Sequence, residues 1–308
     1  MRVVFLGTPE FAVPSLKALA SGHQLAAVFT QPDRPKGRGG QLAESPVKLA
    51  AAALGIPVYQ PERIRRPGSV ELLRNLAPEI MVVVGYGQII PQNIIDLPQR
   101  GILNVHASLL PKYRGAAPIQ WAVANGETET GVTIMQINAG LDTGDMLLKA
   151  RTAIGPDETA PELSARLAPL GAKLLIQAIS GIAAGAARWE KQNDAEATMA
   201  PILRKEDGLI DWSRPASQIY NRLRGFTPWP GAYTRFRSQQ MSVIAARPFE
   251  NMTLAPAALK IDKRRVFAGC GSGSALELLA VQLAGKRAMT AEAFLNGYRP
   301  AEGERLGD

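Results

Sequence analysis

Asn104 and His106 stand two apart in "ILNVHASLLPKYRGAAP", and Asp142 follows much later in "NAGLDTGD". Residues two apart in extended chain face the same way. If "ILNVHA" is a strand, a carboxamide N–H and an imidazole N–H therefore converge on one point. Such a pair can bind a developing oxyanion, and a neutral imidazole can instead act as a general base. The next predicted strand ends just before "NAGLDTGD", which puts Asp142 on a loop at the same edge of the sheet. A carboxylate there can orient His106, fix its tautomer and favour its protonated form. The same residues can equally well satisfy strand ends and cap a turn between Gly140 and Gly144. Spacing alone leaves both readings open.

The elements that must position these residues follow from the patterning. Continuous apolar runs at 2–7, 25–30, 57–60, 81–86, 102–107, 131–137 and 146–154 read as strands, several of them covered on both faces. Helical stretches at 14–20, 47–54, 70–76 and about 160–184 alternate with them. The pattern predicts a doubly wound α/β domain with a mostly parallel sheet over 1–188, a fold that binds ligands beyond the carboxyl ends of its strands. Residues 189–208 are polar and without period, and read as a linker. Over 209–308 one helix, 216–226, precedes short β-rich segments such as "AYTRF", "MSVIAARPF" and "ALELLAVQL". That pattern predicts a small β-barrel, OB-like in type. The first strand runs into "GTPEFAVPSL", in which only Gly7 fits a G-x-G-x-x-G fingerprint. This argues against a nicotinamide site and for a tight strand-to-helix turn.

Composition narrows the function classes. The formal charge is +8 and the isoelectric point about 9.7, which suits either solubility or a polyanionic partner. Residues 1–188 carry 18 Lys and Arg against 14 Asp and Glu, and residues 189–308 carry 17 against 13. The excess is equal, so positive charge is denser in the shorter C-terminal part. With only Cys270 no internal disulfide forms, and one Cys with two His leaves no ligand set for a structural zinc, so no metal is expected. No apolar run approaches the roughly 18 to 20 residues of a membrane span. "MRVVFLGTPEF" is too short in apolar residues for a signal-peptide core. The expectation is a cytoplasmic protein.

"NVHASLLPKYRGAAPIQWA" followed by "TGVTIMQINAGLDTGDML" resembles the folate-dependent formyltransferase family. "GTPEFAVPSL", "TQPDRPKGRG", "SPVKLAA", "VVVGYGQIIP", "IDWS" and "FTPWPGAY" extend the likeness over essentially the whole chain. The "QPDRPKGRG" loop and the C-terminal region are similar to the branch that acts on charged tRNA. The resemblance implies a Rossmann-like formyltransferase domain and a C-terminal tRNA-binding barrel. It implies transfer of a formyl group from 10-formyltetrahydrofolate, as co-substrate and without a tightly bound cofactor, to the amino group of methionine on initiator tRNA. Asn104, His106 and Asp142 are then the catalytic set. Ser108, Leu109, Leu110 and Pro111 are then folate contacts, and the loop bearing Tyr86, Gly87 and Ile89 lines the pterin pocket. One departure is Ala107, where relatives usually carry Gly or Pro. An alternative within the family is formylation of another amine, such as that of an amino-sugar nucleotide.

The stretch 32–46, "PDRPKGRGGQLAESP", reads by composition as a mobile, solvated basic loop. By resemblance it reaches the acceptor end of the tRNA, with Arg38 the leading contact and Lys36 and Arg34 supporting it. Arg222, Arg224, Arg235, Arg237 and the run Lys263 to Arg265 are expected on phosphates, whereas Phe226, Trp229 and Tyr233 are expected to be packing residues. The basic surface suggests a monomer offering one face to the nucleic acid.

Overall fold

The computed structural model describes residues 1–36, 41–249 and 252–307, and the side chains of 35, 36 and 41 also lie outside the description. The chain divides into two compact units. The first comprises Met1–Pro118, Glu129–Ala153 and Leu163–Pro201; the second comprises Ile119–Thr128, Ile154–Glu162 and Ile202–Asp308.

The elements in chain order are β1 (Arg2–Gly7), α1 (Val13–Gly22), β2 (Gln24–Phe29), β3 (Arg34–Lys36), β4 (Gln41–Ala43), α2 (Pro46–Ala53), β5 (Val58–Tyr59), α3 (Pro67–Leu76), β6 (Ile80–Val84), α4 (Gln92–Ile95), β7 (Ile102–His106), α5 (Pro118–Ala124), β8 (Glu129–Gln136), β9 (Met146–Ala153) and α6 (Ala160–Ala183). The main sheet has the order β5-β2-β1-β6-β7-β8-β9. Strands β1, β2, β5, β6 and β7 run parallel, whereas β8 is antiparallel to β7 and β9 to β8. The order reverses between β1 and β6, which opens a crevice beyond their carboxyl ends.

Alternation along β1 explains why its apolar run is continuous. Val4 and Leu6 share a cluster with Val70 and Leu73 of α3 and with Ile94 of α4. Val3 and Phe5, which point the other way, are equally buried, so both faces of the strand are covered. A Cβ on Gly7 would lie 2.7 Å from the Phe5 ring and 3.0 Å from the Val84 carbonyl oxygen, so the turn after β1 needs the missing side chain. Gly171 does the same for α6: its Cβ would meet Val105 of β7 at 2.8 Å. The helix thereby lies hard against the strand that carries Asn104 and His106.

The second unit holds α7 (Ala216–Phe226), β10 (Ala232–Phe236), β11 (Gln239–Phe249), β12 (Leu259–Asp262), β13 (Arg265–Cys270), β14 (Ser274–Leu283), β15 (Met289–Thr290) and α8 (Ala291–Tyr298). Its antiparallel sheet has the order β10-β11-β14-β13-β12, with β15 on β14. Trp212, Phe236, Met241, Val266, Leu276 and Phe294 are among its core residues. This arrangement fits the expected small barrel. Two stretches from earlier in the chain join it. A Cβ on Gly225 of α7 would come within 2.6 Å of the Ala124 nitrogen, so α5 and α7 pack backbone to backbone.

Three features differ from the sequence reading. The antiparallel β8 leaves the sheet at the amino end of β7, not at the edge where His106 stands. The arms of the basic 32–46 stretch pair as the short hairpin β3–β4. The segment 190–201 belongs to the first unit, fastened by hydrogen bonds described below. The pattern gave no sign of this, because the bonds are made by backbone and by isolated polar side chains.

Candidate active site

β7 pairs with β6 on one side and β8 on the other, and its last residue is His106. His106 is buried and Asn104 half-buried, on the same face of the strand. The Nε2 atom of His106 lies 2.9 Å from the carbonyl oxygen of Tyr113. A carbonyl only accepts, so Nε2 carries a hydrogen and donates it. Nδ1 is thereby left facing Asp142, at 3.6 Å from Oδ2.

Asp142 reaches this position although its loop starts at the far edge of the sheet. Residues 137–145 fold back over the sheet face, and three contacts hold the result. Oδ1 accepts from the Asn104 carboxamide at 3.4 Å, and Oδ2 accepts from the Gly115 backbone N–H at 2.8 Å. The Asp142 carbonyl oxygen accepts from Gln192 at 2.7 Å. Asp142 has φ of +51°, a left-handed conformation that costs a non-glycine residue roughly 1–2 kcal/mol. The surrounding bonds must therefore over-determine it. Two glycines make the fold-back possible: a Cβ on Gly144 would lie 1.8 Å from the Gln136 carbonyl oxygen, and one on Gly115 2.6 Å from that of Ala200.

The structure thus brings the three expected catalytic residues together. Their hydrogen-bonding groups form one cluster: a carboxamide with a remaining N–H, an imidazole nitrogen not engaged by Tyr113, and a carboxylate beside both. This set can hold a developing negative oxygen and exchange a proton near it. Sequence reasoning missed Tyr113, Gly115, Thr133 and Gln192. Tyr113 and Gly115 act through main-chain atoms, which leave little trace in residue type.

The stretch after His106 is a self-bonded turn. Ser108 Oγ donates to the Lys112 carbonyl at 2.6 Å, Thr133 Oγ1 donates to the Ser108 carbonyl at 2.7 Å, and Leu110 N–H donates to Thr133 Oγ1 at 3.2 Å. Ser108 and Leu110 are buried, and Leu110 packs on Met135 and Met146. Their side chains hold the turn together, while Leu109 and Pro111 are half-exposed.

In the β6–α4 loop Tyr86 is buried among core residues, and burial pushes its phenol pKa upward. Its ring is packing, which corrects its assignment as a pocket-lining side chain. Its carbonyl accepts from Thr8 Oγ1 and Gln31 Nε2, both at 3.1 Å. This ties the loop to the turn after β1 and to the end of β2. Gly87 has φ of +82°, and Ile89 is 90 % exposed.

The basic residues separate by environment. Arg34 is exposed on β3; the side chain of Lys36 and all of Arg38 lie outside the described residues. Arg224 is 5 % exposed, with Nη1 donating to the carbonyls of Gly155 and Glu158 at 3.2 and 2.7 Å and Nη2 to Asn221 at 2.7 Å. It fastens α7 to 154–162, and its remaining donor, Nε, is buried away from any phosphate, which corrects the expectation. Arg222 is half-buried, stacked over Phe226 at 4.8 Å, and donates to the Asp207 carbonyl at 2.9 Å. Burial lowers the pKa of both guanidiniums. Arg237 is tied to Glu304, and Arg265 to Glu277 in a two-pronged pair at 2.8 and 3.1 Å. Trp229, expected to be packing, is 55 % exposed.

Comparison with known proteins agrees with this architecture. Residues 1–179 match the formyl transferase model and residues 202–299 the formyl transferase C-terminal domain model. The methionyl-tRNA formyltransferase of Solibacter usitatus is 58 % identical, covering 100 % of this chain and 99 % of that one. The protein of the same name from Koribacter versatilis is 55 % identical over the same shares. Among solved structures, WlaRD, a sugar 3N-formyl transferase in the presence of dTDP and 5-N-formyl-THF, aligns with a TM-score of 0.69 at 19 % identity, covering 93 % of this chain and 99 % of that one. HypX from Aquifex aeolicus in complex with tetrahydrofolic acid aligns at 0.63 and 17 % identity, covering 96 % of this chain and 48 % of its own. A chain with this fold, this cluster and both matches belongs to the formyl transferase family.

Proposed function

We propose that this chain transfers a formyl group from 10-formyltetrahydrofolate to the amino group of methionine on charged initiator tRNA. The observation that carries the reading is the 58 % identity, over the full length, to a protein named methionyl-tRNA formyltransferase. Likeness to the sugar formyltransferase WlaRD, at 19 % identity, speaks for the fold alone. The working form is taken to be a cytoplasmic monomer. No helix among the described residues is long and apolar enough to cross a membrane.

The uncharged amine attacks the formyl carbon, and its electron pair forms the new C–N bond while the carbonyl π electrons move onto oxygen. An α-amino group has a pKa of about 8, so the free base is accessible near neutrality. In this reading the Asn104 N–H and the His106 Nδ1–H hold the oxyanion. Asp142 keeps both groups oriented, and Tyr113 fixes the ring through Nε2. Collapse re-forms the carbonyl and breaks the bond to the folate N10, which leaves with the electron pair and takes up a proton, while the amine nitrogen loses one. In this reading Leu109, Pro111, Gly87 and Ile89 contact the folate, and Arg34, Lys36 and Arg38 contact the acceptor end of the tRNA.

The test is formyl transfer to charged initiator tRNA, with His106→Ala and an amino-sugar nucleotide as controls. Activity on the tRNA that the variant loses supports the reading. Transfer to the sugar amine in its place overturns it.

A further inference from the structure

The segment 190–200 falls between the stretches that match the two family models, yet it bonds to both the loop that bears Asp142 and the turn that bears Tyr113. Glu190 pairs with Met146 at the start of β9 through two backbone bonds of 2.8 Å. Gln192 Nε2 donates to the carbonyl oxygens of Asp142 and Gly144, at 2.7 and 2.8 Å. Its Oε1 accepts from Arg114 Nε at 3.0 Å, and Arg114 in turn donates to Asp194 at 2.7 Å. Thr198 Oγ1 accepts from the Tyr113 N–H at 2.8 Å. The Thr198 carbonyl accepts from the Arg114 N–H, also at 2.8 Å.

We infer that Gln192 is a positioning residue for the transfer reaction, acting through Asp142. This rests on the catalytic reading of Asn104, His106 and Asp142 given above. The two carbonyls that Gln192 bridges belong to Asp142 and Gly144, in the loop that must fold back over the sheet. A primary amide is the neutral side chain that can donate twice and accept once from a guanidinium. Arg114 is buried, so the amide is held from behind by an ordered partner. Gln192 also shares Arg114 with the turn whose Tyr113 carbonyl holds His106. Loss of the two donations frees the carboxylate from its place beside Asn104 and His106, and a displacement of about 1 Å can cost on the order of 100-fold in rate.

The experiment uses Gln192→Glu in the full chain. Glutamate is isosteric and keeps the acceptor for Arg114, but it turns an acceptor on the two loop carbonyls. Formyl transfer is measured with 10-formyltetrahydrofolate and charged initiator tRNA. The expected result is a fall in kcat of about 10- to 100-fold with both KM values within about twofold. In an Asp142→Asn background the same substitution should cost less than about twofold, because the group it positions is already disabled. A merely structural role lowers the melting temperature and repeats the full loss in that background, which overturns the inference whether or not the single variant is less stable. Wild-type kcat in Gln192→Glu beside a crippled Asp142→Asn overturns the inference alone. Wild-type kcat in Asp142→Asn overturns the site reading and the inference with it.

Discussion

The Tyr113 carbonyl oxygen sits 2.9 Å from Nε2 of His106, so the proton on that nitrogen is fixed by main chain. Whatever protonation chemistry His106 performs must then pass through Nδ1. Removing a donor of this kind typically costs about 10²- to 10³-fold in turnover. His106→Asn is expected to fall in that range. Wild-type kcat in His106→Asn would rule out both the oxyanion role and the general-base role.

Gly115→Ala is expected to cost activity without unfolding the sheet. Its φ is +123°, and its Cβ would lie 2.6 Å from the Ala200 carbonyl. Relief requires the backbone N–H that serves Asp142 to move. A kcat loss of about 10-fold or more is expected, with far-ultraviolet circular dichroism unchanged. Wild-type kcat would show that the Gly115 to Asp142 bond is dispensable.

Arg224→Ala is expected to affect stability and not the salt dependence of tRNA binding. The change leaves the carbonyls of Gly155 and Glu158 without their donors, at a cost of about 1–3 kcal/mol. The slope of log affinity against log salt should match the wild type, because no phosphate contact is lost. Arg34→Ala is expected to behave oppositely, with unchanged stability and a slope shallower by about 0.7 to 0.9. Denaturant titration and binding at several salt concentrations separate the two.

Glu277 supplies a pH-dependent stability. Its pairing with Arg265 holds its pKa below the ordinary 4.5, against the opposing effect of burial. A depressed carboxyl pKa adds stability above the unfolded value, and that contribution fades as pH falls through the folded one. Glu277→Gln should therefore be less stable than wild type at pH 7, by about 1–3 kcal/mol after allowing for the half-exposed Arg265. The difference should shrink below about pH 4.5. A difference that stays constant from pH 7 to pH 3 would contradict this account.

Cys270 should be inert in the folded chain. Burial pushes its thiol up to about 12 and leaves it 2 % exposed. At pH 8 the thiolate fraction is then on the order of 10⁻⁴. Labelling by a thiol-reactive dye should be slow in buffer and fast in denaturant.

Much of this architecture was legible in residue order. The runs "RVVFLG" and "MVVVGY" read as strands covered on both faces, and β1 and β6 are such strands. Asn104, His106 and Asp142 also meet as their chemistry suggested, but by a different route. The direction of β8 depends on which neighbour it pairs with, and no local pattern encodes that. The expectation of a shared sheet edge therefore failed even though the contact exists. Arg224 misled for a related reason: a guanidinium bonded to carbonyls looks in sequence like one meant for phosphate. Gln192 sits in "RWEKQNDAEA", where nothing periodic marks it, because its work is set by three partners distant in sequence.

The fold-back of Asp142 has a consequence for the order in which this protein comes alive during its synthesis. A nascent chain that has emerged through β9 possesses every strand of the main sheet and all three reactive side chains. It does not yet possess Gln192 or Thr198, the residues that latch the loop and the histidine's carbonyl support. The site can therefore be completed only after some forty further residues of elongation.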